Sequence, residues 1–332
     1  MKQRNISIDI LKFFAAVLIT NSHMDMLYVP PFQKLATGGM IGDALFFFCS
    51  GFTLFLGSIG TFDNWYKRRI NRIYPTVFAC AILATALFGS QRNIIDVLLN
   101  GGGWFVSCIM IYYGVIYFVH KYALNRLTLV FFLLSVVFVV LFFVFSANGW
   151  YFNASGKALE KSKWITQSYF KWGYFFLFML LGLMLSETKK KFVSRLVPDF
   201  LAMMAGIVMW YAVLLAGTRV ELVASLQILG LIPLMAAIFY FYKVCNSDLM
   251  ARVYNSRCGG LLIRSVGGLC LEIYLIQSFL FTDKMNGIFP LNLLIQFVAI
   301  VLAAYLLRCL ARIFSQTFKD QDYDWSAVVK LY

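Results

Sequence analysis

The chain has 332 residues, of which 61% are hydrophobic and only 13% charged, with a mean hydropathy of +0.78. These proportions exclude a soluble globular domain and indicate an all-α polytopic membrane protein. The net charge of +14 would suit nucleic acid in a soluble chain. Here it follows from basic connections on one side of a bilayer, so the expected partners are anionic membrane lipids and no nucleic acid.

The first apolar stretch, residues 6–27, is long enough to cross a bilayer, since ~20 residues at 1.5 Å rise cover the hydrocarbon core. It nevertheless carries Asp9, Lys12, Asn21 and His23. At 100° per residue Lys12 and His23 fall within about 20° of one another and ~16 Å apart along the axis. Asp9, Ala16 and Thr20 lie on the same stripe. Charges cost several kcal/mol in hydrocarbon unless they face a partner or a wet cavity, so this helix is expected to turn a polar seam into the bundle. Lys2 and Arg4 before the apolar run imitate a signal peptide. The charges inside the run and the missing small-residue cleavage site favour a retained helix.

Ten spans follow from hydropathy: 7–27, 41–59, 73–89, 104–119, 127–147, 170–186, 199–217, 222–242, 265–282 and 291–311. An inside N-terminus puts Lys2, Arg4, Lys67, Arg68, Arg69 and Arg72 on the cytoplasmic face. Lys121, Arg126, Lys189, Lys190, Lys191, Arg195, Lys243, Arg252, Arg257 and Arg264 join them, as do Arg308, Arg312, Lys319 and Lys330. Lys34, Arg92, Lys157, Lys161, Lys163, Lys171, Arg219 and Lys284 fall outside. This bias places both termini in the cytoplasm and the chain in the cell's inner (plasma) membrane as a multi-pass protein. No linker or internal repeat divides residues 1–332, which read as a single transmembrane domain with no appended soluble domain. The connection 148–169 is too short for an extracellular catalytic domain, although Asn153-Ala-Ser155 within it fits a glycosylation acceptor. The seven cysteines contain no CxxC pair, and most fall inside spans (Cys49, Cys80, Cys108, Cys270, Cys309). They read as small apolar packing residues, with neither a metal site nor a disulfide framework.

Span five and most of span seven lack charge and suit the lipid perimeter, whereas spans one, two and nine carry polar positions and suit an interior cavity. His23 has the chemistry of a general base, because a neutral imidazole can take a proton from an attacking hydroxyl. The plain alternative is a histidine bonded to neighbouring carbonyls, and that account suits His120 at a cytoplasmic helix end. Lys12 and Asp9 are spaced as a helix ion pair, and Lys12 can also snorkel towards headgroups. Span two places Asp43, Ser50 and Gly57 on one face. Ser50-Gly51 suits close helix packing, with substrate contact second, and Asp43 reads equally as a solvated acid near the outer surface. In WYKRRINRIYP, Arg69 and Arg72 are one turn apart and form a candidate phosphate receptor, beside the simpler role of anchoring the inner leaflet. Glu272 lies roughly 12 Å past Arg264, close to the midplane, and must be protonated, paired or lining a wet path. Gln277 and Tyr274 are softer candidates nearby. Trp104 and Ser107 open span four, where an interfacial tryptophan anchor is the usual account.

Taken in order, these pieces resemble the acyltransferase-3 family of integral membrane acyltransferases, bacterial enzymes that O-acylate cell-surface carbohydrates. The matching elements are Lys12, ten residues and His23 after an Ile-Asp-Ile-Leu start, FFFCSGF at 46–52, and Arg69-x-x-Arg72 with the following IYP. WFVS at 104–107 and EIYLIQ at 272–277 complete the set. Two departures stand out: Gln277 occupies a place where family members often carry a histidine, and Asp43 is offset from the FFxxSG element by Ala44. The resemblance implies acyl transfer, in the first instance acetyl, from cytosolic acetyl-CoA or another acyl-CoA to a carbohydrate hydroxyl. No metal is implied, and the oligomeric state stays open. Under it, Arg69 and Arg72 are expected to hold the donor phosphates, with the pantetheine arm along the seam of spans one, two and nine. His23 is then the base, Lys12 steadies charge near the thioester, and Glu272 fixes a base or shuttles a proton. Ser50, Asp43 and Trp104 are expected at the substrate path. The rivals are a polysaccharide or lipid-linked-sugar transporter, whose paired half-repeats are missing, and a membrane glycosyltransferase using Asp25 and Asp43.

Overall fold

The computed structural model describes residues 5–57, 59–90, 93–146, 151–152, 158–159, 164–188, 192–217 and 219–331. Lys2, Arg4, Arg92, the Asn153-Ala-Ser155 tripeptide, Lys157, Lys161, Lys163, Lys189, Lys190 and Lys191 lie outside the described residues. In chain order the helices are α1 (Ile6–Ser22), α2 (Gly39–Thr53), α3 (Phe62–Phe88), α4 (Ile94–Asn100) and α5 (Gly103–Ala123). They continue with α6 (Leu127–Ser146), α7 (Trp164–Glu187), α8 (Leu196–Gly217), α9 (Glu221–Ser225) and α10 (Leu231–Cys245). The last are α11 (Asp248–Asn255), α12 (Arg257–Gly268), α13 (Cys270–Ile276), α14 (Leu291–Thr317) and α15 (Trp325–Val329). A two-residue antiparallel pairing of β1 (Tyr151–Phe152) with β2 (Ala158–Leu159) sits in the connection before α7.

Among the described residues six stretches are long and apolar enough to cross a membrane, or seven if a bent pair counts as one span. The first helix ends after 17 residues, and α5 and α6 share one 42-residue helical stretch, twice the ~20 residues that one crossing needs.

Two compact units share the chain. The first comprises Met1–Ala15, Met40–Gly57 and Phe118–Leu261. Its α2 and α7 meet at glycines. A Cβ built on Gly51 would lie 1.9 Å from the Met179 carbonyl oxygen, and one on Gly182 would lie 2.1 Å from that of Phe48. The packing reading of Ser50-Gly51 is therefore the one the helices use: backbone meets backbone where a side chain is missing. Two polar ties close this unit. Lys243 Nζ donates to Asp199 Oδ1 at 2.6 Å, and the Tyr254 hydroxyl donates to Asp9 Oδ2 at 2.9 Å. His120 stacks on Phe55 with centroids 3.9 Å apart, its Nε2 3.6 Å from Glu187 Oε1. The sequence reading expects neighbouring carbonyls around this histidine; the contacts here are a ring and an acid.

The second unit comprises Ala16–Gly39, Ser58–Tyr117 and Leu262–Tyr332. Within it α14 packs on α3 and α13, with Phe78 against Phe314. The C-terminal segment, which shows no motif in the sequence, is an ordered part of this unit. Asp324 caps α15 by accepting from the Ala327 amide at 2.9 Å, Tyr305 donates to the Val329 carbonyl at 2.6 Å, and Arg312 donates to that of Val328 at 3.0 Å. Because the two units alternate along the chain, no composition shift marks where one stops.

Candidate functional site

The site is built where a helix breaks. The helical stretches Arg257–Gly268 and Cys270–Phe279 are bent by 61° after the pair Gly267-Gly268. Glycine is a poor helix former, and a break strands backbone carbonyls that water cannot reach. Arg308 of α14 answers this. Its Nη2 donates to the Gly268 carbonyl, and its Nε and Nη2 reach Glu272 Oε1 and Oε2 at 3.1 and 2.9 Å. Of the states open to Glu272 from sequence, the structure has the paired one, and the carboxylate holds α13 against α14. From the α3 side, the Cys80 thiol reaches the Leu275 carbonyl at 3.7 Å. Braced twice, the α13 segment presents Tyr274, Gln277 and Ser278 to one cavity.

The opposite wall is the turn between α4 and α5. Asn93 caps α4 by accepting from the Asp96 amide at 2.8 Å. The chain then runs Asn100-Gly-Gly-Gly103, with Gly103 at φ +63°, a conformation costly for any residue with a Cβ. A Cβ there would also lie 3.1 Å from the Tyr274 hydroxyl oxygen. Glycine thus lets the start of α5 approach α13 closely. The Ser107 hydroxyl ties this corner down by donating to the carbonyl of Leu99.

His23 stands just past the end of α1, in a turn closed by its own amide donating to Thr20 at 3.1 Å. His23 thus lies one residue past the last residue of α1. The following loop is fastened on both sides. Asn21 donates to the Leu35 and Thr37 carbonyls at 2.8 and 2.9 Å and accepts from the Tyr28 hydroxyl at 2.6 Å. Asn292 of α14 donates to the Leu27 carbonyl at 2.8 Å, and Asn286 to that of Met26 at 2.9 Å. The imidazole itself stays exposed.

These pieces enclose a cavity of about 390 Å³ lined by His23, Trp104, Tyr274 and Gln277, the Asn100–Gly103 turn, and Cys80, Ala81 and Ala84 of α3. No carboxylate lines it among the described residues. Two of the sequence candidates, His23 and Trp104, meet there, with the softer pair Tyr274 and Gln277. Lys12, Asp43, Ser50, Arg69, Arg72 and Glu272 are not among its lining residues. Span two is not among the lining residues; α3 and the glycine turn are, and neither carries a charge at the positions it contributes. Lys12 and Ser50 are half-buried in the first unit. Asp43, read from sequence as equally a solvated surface acid, is buried at 8% exposure, with Lys171 as an electrostatic neighbour. Arg69 and Arg72 differ in setting. Arg69 is half-buried with its guanidinium 4.8 Å from the Trp65 ring centre and 5.9 Å from that of Tyr113, whereas Arg72 is exposed.

The cavity lining thus joins His23, Trp104, Tyr274 and Gln277 in a chain with membrane-length helices. A family model described as an acyltransferase domain matches residues 5–312. The chain belongs to the acyltransferase-3 family, and its class is membrane acyltransferase. No curated protein matches the chain, and no solved structure matches it.

Proposed function

We propose that the chain moves an acyl group, acetyl in the first instance, from cytosolic acyl-coenzyme A to a hydroxyl of a cell-surface or lipid-linked carbohydrate. In this reading it crosses the inner (plasma) membrane ten times, with both ends in the cytoplasm. One observation carries the proposal. The helix that bears Arg69 and Arg72 also forms a wall of the His23 cavity, through Cys80, Ala81 and Ala84. From Arg72 to Ala81 is about 14 Å along the axis, so one helix, with Pro75 between the two ends, links a phosphate receptor to the reaction chamber. Exposed Arg72 meets the donor phosphates, and Arg69 is held in place by its aromatic stack.

At the cavity, His23 takes the proton of the acceptor hydroxyl as that oxygen attacks the thioester carbon. The O–C bond forms, the C–S bond breaks, and the imidazolium returns the proton to the leaving thiolate. Charge gathering on the carbonyl oxygen needs donors placed beforehand. The first turn of α5 supplies them, since helix N-termini present N–H groups that no intrahelical carbonyl takes up. Those amides take the part first assigned to Lys12, and Glu272 acts by positioning α13. Ser50 belongs to helix packing, and Trp104 walls the acceptor side.

Mass analysis of surface glycans from cells with and without the gene tests this reading. It expects an alkali-labile acyl increment that depends on the gene and on His23. Identical glycans in the two strains would refute the carbohydrate acceptor.

A further inference from the structure

A groove of about 450 Å³ opens on the first unit between α8, α10 and α11, and every residue lining it is apolar. Its floor holds Phe14 and Phe241, whose ring centres are 5.1 Å apart, with buried Met203 and Cys245. Its lips, Val197, Phe200, Leu201 and Leu249, are 42–66% exposed. Leu196 and Cys245 fix its level. They are the first residue of one membrane-length stretch, Leu196–Gly217, and the last of another, Gln227–Cys245. The groove therefore begins where two spans leave the hydrocarbon. From Leu196 to Met203 it runs about 10 Å along α8, most of the ~15 Å depth of one leaflet's hydrocarbon.

The groups at that level are polar, and their charges do not balance. The Asp199 carboxylate accepts from the Arg195 amide at 2.8 Å and from Lys243 at 2.6 Å, so each of its oxygens is taken within the chain. Asp248, which is exposed, lies in the first turn of α11, where a helix N-terminus favours an acid. Arg195, next to Leu196, and Arg252, two residues past Met250, are both exposed.

We propose that this groove binds an anionic phospholipid of the surrounding bilayer. One acyl chain lies against Phe14 and Phe241, and the headgroup phosphate meets Arg195 and Arg252. A neutral lipid gains only the apolar contact that any exposed stretch offers, such as Phe132 and Leu133 of α6. Basic residues at the membrane surface add attraction for a negative headgroup. A wholly apolar lining offers a sugar or the polar part of coenzyme A no hydrogen bond, so the occupant is a hydrocarbon chain. The site is independent of the acyl-transfer reading, and either can fail without the other.

The test uses the full-length protein in phosphatidylcholine nanodiscs. These carry a small fraction of phosphatidylglycerol with a photoactivatable diazirine at the end of one acyl chain, or the matching phosphatidylcholine probe at the same fraction. After irradiation the labelled residues are mapped by mass spectrometry. Expected is about five-fold or more labelling of Phe200, Met203 and Phe241 by the anionic probe over the neutral one, roughly the worth of one arginine beside anionic lipid. Phe132 and Leu133 should take both probes equally, which also reports on folding and reconstitution. Arg195→Gln combined with Arg252→Gln should bring anionic labelling of the groove down to the neutral level and leave α6 unchanged. Equal labelling of the wild-type groove by the two probes would mean ordinary boundary lipid and overturns the proposal. A groove that neither probe labels is covered by something other than lipid, and that overturns it too, as does an anionic preference that survives in the double variant.

Discussion

Arg308 and Glu272 meet fork to fork, with N–O distances of 3.1 and 2.9 Å, across the contact of two helices that share the second unit. The same guanidinium takes the Gly268 carbonyl at the helix break and donates to that of Leu331 at 3.3 Å. One side chain thus joins a broken span, its neighbour and the C-terminal segment. Removing one partner of a buried pair strands the other, at a cost of about 3–5 kcal/mol. Arg308→Met and Glu272→Gln should each lower the unfolding temperature of the purified protein and reduce turnover. The double replacement Glu272→Leu with Arg308→Met should be more stable than either single change. A double variant as unstable as the sum of the singles would show that the pair is not the brace described.

His23→Ala should cost roughly 10²–10⁴-fold in acyl transfer, the usual worth of a positioned base, with no change in membrane insertion. Only the neutral ring accepts a proton, so the wild-type rate should fall on acidification, and that limb should vanish in His23→Ala. A pH–rate profile of both proteins decides it.

Arg72→Ala should raise the KM for acetyl-CoA while leaving the unfolding temperature in place, since the side chain is exposed. Arg69→Ala should do both kinds of damage. It loses the stack on Trp65, worth about 0.5–2 kcal/mol as a cation–π contact. Titrating donor against salt for each variant separates the two, because an exposed phosphate contact weakens with ionic strength.

Gly51→Ala drives a methyl into the Met179 carbonyl, backbone against backbone, and overpacking of this sort costs about 1–3 kcal/mol or more. Gly57, where an added Cβ meets nothing within 4 Å, is the control. Gly51→Ala should lower the yield of folded protein and its unfolding temperature, and Gly57→Ala should leave both unchanged.

Gly103→Ala combines a left-handed backbone with a 3.1 Å approach to the Tyr274 hydroxyl. It should lower acyl transfer through the shape of the cavity, with a stability loss of about 1–2 kcal/mol from the backbone alone. Retained activity would mean that the α4–α5 turn is not a wall of the site.

His23, Trp104, Tyr274 and Gln277 could be picked out in the chain because polar or amphipathic groups in apolar runs demand an explanation. What could not be read is who faces whom. Glu272 had to be protonated, paired or wet, and nothing in the spacing couples it to Arg308, which looks like one more loop cation. The Asn100–Gly103 turn was equally hidden. A glycine run says that the backbone can bend, and only the fold says that it bends towards Tyr274. Helical periodicity puts Lys12 and His23 on one stripe, and it gives no sign that α1 ends at Ser22, one residue before the imidazole. Of the two accounts of Asp43, the solvated surface acid does not hold, since burial depends on neighbours far along the chain.

The break after Gly268 has one more consequence. Unwinding a helix away from water is expensive, and here a guanidinium outside the cavity lining takes up the carbonyl it frees. The cavity wall beside it is held before any ligand arrives, so a ligand spends little of its own affinity on ordering the protein.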